Sequence, residues 1–287
     1  MKIYEISGNT LTEIQTRTIF IEYSDTLPRM SGIIGLKKRI LETESLRFVW
    51  DNLTMDFDIV RVYREGKNWY ARIQDKTGFY FNNIIGRNWY FKSGTLFAEM
   101  IQTLIGQSVE YEGISGEIAN MIIIPKSMTR MEAVSGITKD LCMDLEYRNG
   151  FKLRDIPQYP SIDLTSVYTT QLETEAKINI ITVTGTVLGQ EFIHMAYNYE
   201  DIAQFGEFPG ETYQTNITTD KFSIERLAEF KLELINYKES YSFKTKVQDI
   251  RINNIIVVRN ASNIPIKMRV RRIILTGNFA QIEGIKK

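Results

Sequence analysis

One cysteine, Cys142, and one histidine, His194, are all that the sequence offers of the two most reactive residue types. A lone cysteine excludes an internal disulfide and a thiolate metal cluster. A lone histidine means that a Ser–His–Asp or Cys–His nucleophile system would have to use that single residue, and imidazole metal sites need two or three. No serine elbow of the G-x-S-x-G type occurs. Gly32-Ile33-Ile34-Gly35-Leu36-Lys37-Lys38 lacks the spacing of a phosphate-binding loop, and Gly185-Thr186-Val187-Leu188-Gly189 lacks its lysine. An excess of either charge is also missing, with 35 Lys and Arg against 35 Asp and Glu. That balance argues against a main task of holding nucleic acid or an anionic membrane. The longest apolar runs, 121–125 and 255–258, are about a quarter of a membrane span. Residues 1–15 lack the apolar stretch of a secretory signal, so the expectation is a protein made in a reducing cytoplasm without membrane insertion. The sequons at Asn52, Asn216 and Asn260 then read as chance matches. The six prolines are scattered, and no low-complexity tract divides the chain.

What is present suits a folded, β-dominated α+β protein: 287 residues, 43% hydrophobic and 24% charged. Residues 59–63 and 69–73 flank a short Gly66-containing loop, the pattern of a hairpin, and aromatic-rich 79–85 reads as a further strand. Leu96, Phe97, Met100, Ile101, Leu104 and Ile105 share one helical face, with Ser93 or Thr95 available as a cap and Gly106 as a stop. Thr129-Arg130-Met131-Glu132 has the spacing of a capping box before a helix over 131–143. Alternating 145–148 and 151–154 around Asn149-Gly150 form the strongest hairpin signal in the chain, because Asn-Gly tolerates positive φ at both central positions. A strand over 177–187, a helix over 223–237 and strands at 241–248, 255–258 and 266–275 complete the pattern. The expected division is a barrel-like domain 1–92, a mixed α/β domain 93–175, and a barrel-like domain 176–287 with one helix.

Few residues are candidates for chemistry. His194 lies in a strand-like run and reads as a packing or surface residue, and Cys142 as a small buried apolar one. Asp56 and Asp58 share a strand face, and Asp140 and Asp144 lie a helical turn apart; such pairs are usually solvated, although a glycosidase would need a pair. The one local charge feature is 267–272. At period two Lys267, Arg269 and Arg271 point one way, and Ile266, Met268 and Val270 the other. Apolar residues then fill both phases at Ile273-Ile274, which predicts a bulge near Arg271–Arg272 or entry into a buried segment. The readings are a solvated strand face, a face lining a channel or meeting an acidic partner, and, third, single-strand binding without an aromatic platform.

Taken in order, the pieces from 96 to 285 resemble the baseplate hub family of tailed phages and related contractile injection systems, the late control D-like and prophage hub proteins. The resemblance rests on the capped helix at Met128-Thr129-Arg130-Met131-Glu132-Ala133-Val134, the hairpin 145–154 and the strand 178–184. It continues through 196–206 ending in Phe205-Gly206, the helix 224–232, and the strands 254–258, 268–275 and 280–284. Order and spacing carry it. Two departures occur: Asn253-Asn254 where the family often has Gly-Asp, and Phe205-Gly206 where Tyr-Gly is usual.

The resemblance implies two barrel-like tail-tube-type domains with a mixed α/β insertion, and no enzyme activity or cofactor. It further implies a homotrimeric ring of six similar modules that joins a hexameric tail tube to a central spike in the virion baseplate, assembled in the bacterial host cytoplasm. Its partners would be itself, the tail tube protein, a separate spike protein and other baseplate proteins, with DNA or a tape-measure protein passing through the channel. Lys267, Arg269 and Arg271 become candidate channel-lining or interface residues. The alternatives are a distal tail ring protein, which would be hexameric, and a carbohydrate-binding or carbohydrate-cleaving module using Asp56 or Asp58.

Overall fold

The computed structural model describes residues 1–24, 27–42, 44–51, 53–81, 83–112, 116–147, 150–165, 169–173, 178–237, 239–259 and 263–287. The first third holds β1 (Lys2–Ser7), β2 (Thr10–Glu13), β3 (Thr16–Ser24), β4 (Leu27–Leu36), β5 (Ser45–Val49), β6 (Thr54–Glu65), β7 (Asn68–Asp75) and α1 (Thr77–Phe81). Next come β8 (Trp89–Phe91), α2 (Phe97–Ile105), β9 (Val109–Glu112), β10 (Ile122–Ile124), α3 (Arg130–Asp140), β11 (Met143–Tyr147) and β12 (Phe151–Asp155). The remainder is β13 (Pro160–Thr165), β14 (Thr169–Glu173), β15 (Ile180–Val187), β16 (Gln190–Tyr197), α4 (Tyr199–Phe205), β17 (Pro209–Thr215), α5 (Lys221–Ile235), β18 (Glu239–Lys246), β19 (Ile255–Arg259), β20 (Pro265–Thr276) and β21 (Phe279–Lys286). The β-dominated α+β class expected from the sequence is the observed one.

The chain folds into two compact units, and neither is continuous in sequence. The first takes Met1–Phe79, Pro157–Gln171 and Tyr241–Lys286; the second takes Tyr80–Ile156 and Leu172–Ser240. This departs from the expected division at 1–92, 93–175 and 176–287. The strands after Ser240 pair with the N-terminal strands rather than with their neighbours in sequence, because β20 runs antiparallel to β3 from Arg272 opposite Ser24 to Leu275 opposite Ile21.

The first unit is one sheet in the order β14-β18-β21-β20-β3-β4-β7-β6-β5-β1-β2, with β19 pairing β20 and β13 pairing β19. Alternation puts Ile21, Ile34, Phe48, Phe57, Ile73, Phe243, Val258, Val270 and Ile282 into a single buried cluster. Each such side chain contributes about 1.5–3 kcal/mol through removal from water, which is why the register cannot slip by one residue without exposing the set. The hairpin at Gly66 forms as expected, with Glu65 opposite Asn68 and Gly66 at φ 58°. The predicted bulge is present too. The β20–β21 register shifts between Val270 and Arg272, so the core-facing phase changes from Met268 and Val270 to Ile273 and Leu275. The two-phase apolar stretch at Ile273-Ile274 is the sequence trace of that shift.

In the second unit α2 and α3 pack with β8, β10, β11 and β12 around Met100, Ile101, Leu104, Val134, Ile137 and Leu153. Gly106 ends α2 at φ 77° with its N–H donated to Gln102 O, the left-handed stop expected of it. Neither Ser93 nor Thr95 caps α2: their hydroxyls donate to Ala119 O and Lys92 O, and the N-cap position is Leu96. The capping box of α3 is complete, with Thr129 Oγ1 accepting from Glu132 N at 3.1 Å and Glu132 Oε2 accepting from Thr129 N at 2.7 Å. That helix ends at Asp140, earlier than the expected 143, and Cys142 sits beyond it at φ 52°. The hairpin β11–β12 pairs as predicted, from Met143 opposite Asp155 to Tyr147 opposite Phe151; Asn149 of its turn lies outside the described residues. The strand expected over 79–85 is instead the helical turn α1, with Phe81 buried edge-on against Phe151 at 5.7 Å between ring centres. Tertiary packing of the aromatic rings outweighs their β preference there. A third small sheet, β16-β15-β17, is covered on one face by α5 through Ile181, Val183, Ile224, Leu227 and Ala228.

Candidate functional site: the outer face of the large sheet

The face of the first unit turned away from its core is built in rows across the strands. Glu22 of β3 stands beside Ser31 of β4, Gln74 of β7 and Asp58 of β6. One row along, Phe20 meets Ile33, then Arg72, then Arg61. Phe20 is 43% and Ile33 38% exposed, although both lie mid-strand in a sheet whose other face is dry. Period two forces this result: the residues between them, Ile21 and Ile34, take the core.

Arg272 is where the N-terminal and C-terminal strands of this face meet. Its Nε donates to Glu22 Oε1 at 2.7 Å, and its Nη1 lies 3.3 Å from Glu283 Oε2. The hydrogen bond that Arg272 donates to Glu22 raises the guanidinium pKa further above its ordinary value. All three side chains are about a third exposed, so solvent screening leaves the network little stabilising weight. Its value is positional, holding alternating charge in place where β3, β20 and β21 adjoin. The face thus offers both signs of charge and two half-exposed apolar side chains, without converging on any one atom. Such a surface suits broad contact or the lining of a passage.

The three predicted residues fall unequally on this strand. Arg269 is 0% exposed, and its Nη1 donates to the carbonyls of Pro157 and Asn253, both at 3.0 Å. A residue so enclosed is a clamp on backbone carbonyls, not a lining residue, and the chain entering the first unit at Pro157 is what covers it. Lys267 and Arg271 are half-buried. Arg272, half-buried like them, is the charge of β20 that reaches Glu22 and Glu283, and a strict period of two misses it by assigning it to the core side. Asn253 adopts φ 61°, a left-handed conformation that glycine takes freely and asparagine tolerates better than other side chains.

The remaining candidates for chemistry are engaged in structure. Asp56 receives Arg47 Nε and Nη2 at 2.7 and 2.8 Å, and Asp58 accepts the Ser45 hydroxyl at 3.0 Å. Asp140 accepts from Thr215 Oγ1 at 2.8 Å, with burial pushing its carboxyl pKa up, and Asp144 pairs with Arg154 at 3.0 Å. Burial pushes the Cys142 thiol up to about 12, which removes its nucleophilicity at neutral pH. His194 is half-buried on β16 opposite Val183. Among the described residues no group of three or more His, Cys, Asp or Glu side chains could hold a metal ion.

No family model matches the sequence, and no curated protein matches it. Solved structures do match the fold. A tail protein from Neisseria meningitidis superposes with a TM-score of 0.74 at 12% identity, over 100% of this chain and 96% of that one. A 43 kDa prophage tail protein from Shewanella oneidensis gives 0.70 at 12% identity, over 99% and 98%. An Escherichia coli type VI secretion component, itself structurally similar to T4 bacteriophage tail proteins, gives 0.59 at 7% identity, over 99% and 76%. The discontinuous two-unit architecture, matched over nearly its whole length at such low identity, is therefore the fold of phage and prophage tail proteins.

Proposed function

We propose that this chain is a structural, non-enzymatic hub of a phage or phage-like tail baseplate, acting as a trimeric ring between the hexameric tail tube and the central spike. The observation that carries this reading is the large sheet. A strand group near the N-terminus, β1–β7, and one near the C-terminus, β18–β21 with β13, β14 and β19, stand side by side in one unit and share a seam at β3–β20. Two such groups per subunit give three subunits six, the number a hexameric tube requires. The match over nearly the full length of tail proteins supports the same role.

The outer face with Glu22, Arg272, Phe20, Ile33 and Arg72 then lines the channel, through which DNA or a tape-measure protein passes. Its mixed charges suit passage, because a face of one sign would hold or repel a polyanion. The tail tube, the spike and other baseplate proteins are the partners, and the virion tail is the location.

Light scattering and negative-stain imaging of the purified protein test the proposal. The expected result is a trimer with a central hole. A hexameric ring would favour the distal tail reading, and a strict monomer at high concentration would sink both. On the channel assignment, Arg272→Glu should leave the ring assembled and impair tail function, whereas full function would move the channel elsewhere. The carbohydrate reading has less support, since Asp56 and Asp58 are held by Arg47 and Ser45.

A further inference from the structure

Among the described residues the small sheet β16-β15-β17 ends on two edges with no further strand, and these are treated differently. Unpaired edges are templates for another strand, and folded proteins usually guard them with lysine, proline or a bulge. The β17 edge is guarded: it starts at Pro209 and its register against β15 shifts between Ile180 and Thr182. The β16 edge, Gln190–Tyr197, contains no lysine and no proline, and its eight-residue register with β15 is unbroken. It also carries Ile193, Met195 and Tyr197 on one side at period two, exposed at 68%, 41% and 37%.

Beside this edge runs a groove of about 650 Å³ between residues 194–200 and α5. The helix contributes Glu229, Leu232 and Glu233 and its C-cap Asn236, at the i, i+3, i+4, i+7 spacing of one face. The end of the groove is tied down: Asn198 Nδ2 donates to Asn236 Oδ1 at 2.8 Å, and Asn236 Nδ2 to Ile178 O at 2.6 Å. Tyr199, 73% exposed, stacks on Tyr197 at 5.5 Å between ring centres. Three carboxylates, Glu200, Glu229 and Glu233, line the groove beside the imidazole of His194, and Glu233 already accepts one ammonium, Lys287 Nζ, at 3.1 Å.

We infer that the groove between β16 and α5 is a docking site for an extended segment of a partner protein, in which lysine or arginine alternates with apolar residues and which adds to the sheet as a strand. Main-chain bonds to the open edge supply affinity, as in other strand-addition interfaces. Alternate side chains of the incoming strand meet Leu232 and the glutamate carboxylates on the helix side, and Ile193 and Met195 on the other. The carboxylates choose a basic strand over an acidic one. This site lies in the second unit and does not depend on the channel assignment.

The probe is a synthetic peptide of alternating lysine and valine, about eight residues long to match a strand, with blocked ends, titrated into the full-length protein by calorimetry. Amide exchange is followed in parallel. Saturable binding is expected, with new protection confined to 190–197. A glutamate–valine peptide should not bind, nor should a lysine–valine peptide methylated on alternate amides. Glu200→Gln with Glu229→Gln should weaken binding by about tenfold at low salt, with less difference at high salt. Equal binding of the methylated peptide, an unaffected double variant, protection elsewhere, or no binding would each overturn the inference. Concentration-dependent protection of β16 without peptide would overturn it as well, by assigning the edge to a second copy of the chain. A protein that binds the peptide yet remains monomeric would refute the hub reading alone.

Discussion

The two units are stabilised on different length scales. The second adds several local devices, the capping box at Thr129, the left-handed stop at Gly106, the hairpin β11–β12 and the N-cap Asp220, which accepts from Ser223 N at 2.8 Å, to long-range ties such as Thr215 to Asp140 and Arg226 to Leu141. The first depends on pairings far apart in sequence. β20 pairs with β3, with Leu275 opposite Ile21, and Trp50 Nε1 donates to Gly277 O at 2.9 Å across 227 residues. Loop closure must be met before such contacts form, so the first unit is the more exposed to single lesions that unseat a long-range seam. The second should lose stability in small, separable steps.

Arg269→Met is the severest way to test that contrast. It takes the Arg269 donor from the buried carbonyl of Asn253 and the part-buried one of Pro157, and a loss of about 3 kcal/mol is expected by chemical denaturation. A neutral result would mean that the clamp does not hold the first unit together. Gly284→Val comes next, at about 2 kcal/mol, because a Cβ there would press on the Arg269 carbonyl and the Met268 side chain. In the second unit Thr129→Ala should cost about 1 kcal/mol, read as a shift in the thermal midpoint, by removing one half of the capping box. A loss as large as that of Arg269→Met would erase the distinction between local and long-range support.

The smallest effect is one of pH. Glu5 shares a hydrogen bond with Glu44, and that bond, burial and the neighbouring charge raise its pKa from 4.5 to about 6. The folded state therefore binds this proton more tightly than the unfolded state. The stability it contributes is present below pH 4.5 and is lost as pH rises through about 6. Glu5→Gln should flatten the dependence of the thermal midpoint on pH over that window, and an unchanged slope would show that the pair is not coupled.

The difference between the units also explains what could be read in advance. Caps, turns and amphipathic stripes are written within a few residues of one another, so α2, α3, α5 and the β6–β7 and β11–β12 hairpins were legible. The bulge at Arg271 was legible for the same reason, as a change of apolar phase within one strand. Residues 79–85 were misread because Phe81 is placed by Phe151, seventy residues away. Arg269 was misread because a basic residue at period two implies an outward face unless distant chain covers it, and Pro157 does. The unguarded edge of β16 was not legible as an edge at all, since alternation states that a strand exists but not how many neighbours it has.

By itself the sequence determined the class of protein: β-dominated, with several helices, a single cysteine, a single histidine and balanced charge. Composition and local periodicity suffice for that, because each is a property of short stretches of chain. Only the tertiary structure decided that the last strands return to the first, that Arg269 is enclosed while Arg272 bridges the seam, and that one sheet edge lies open beside an acidic groove. Those outcomes depend on which surfaces exclude water together, and burial is a property of the whole packed chain.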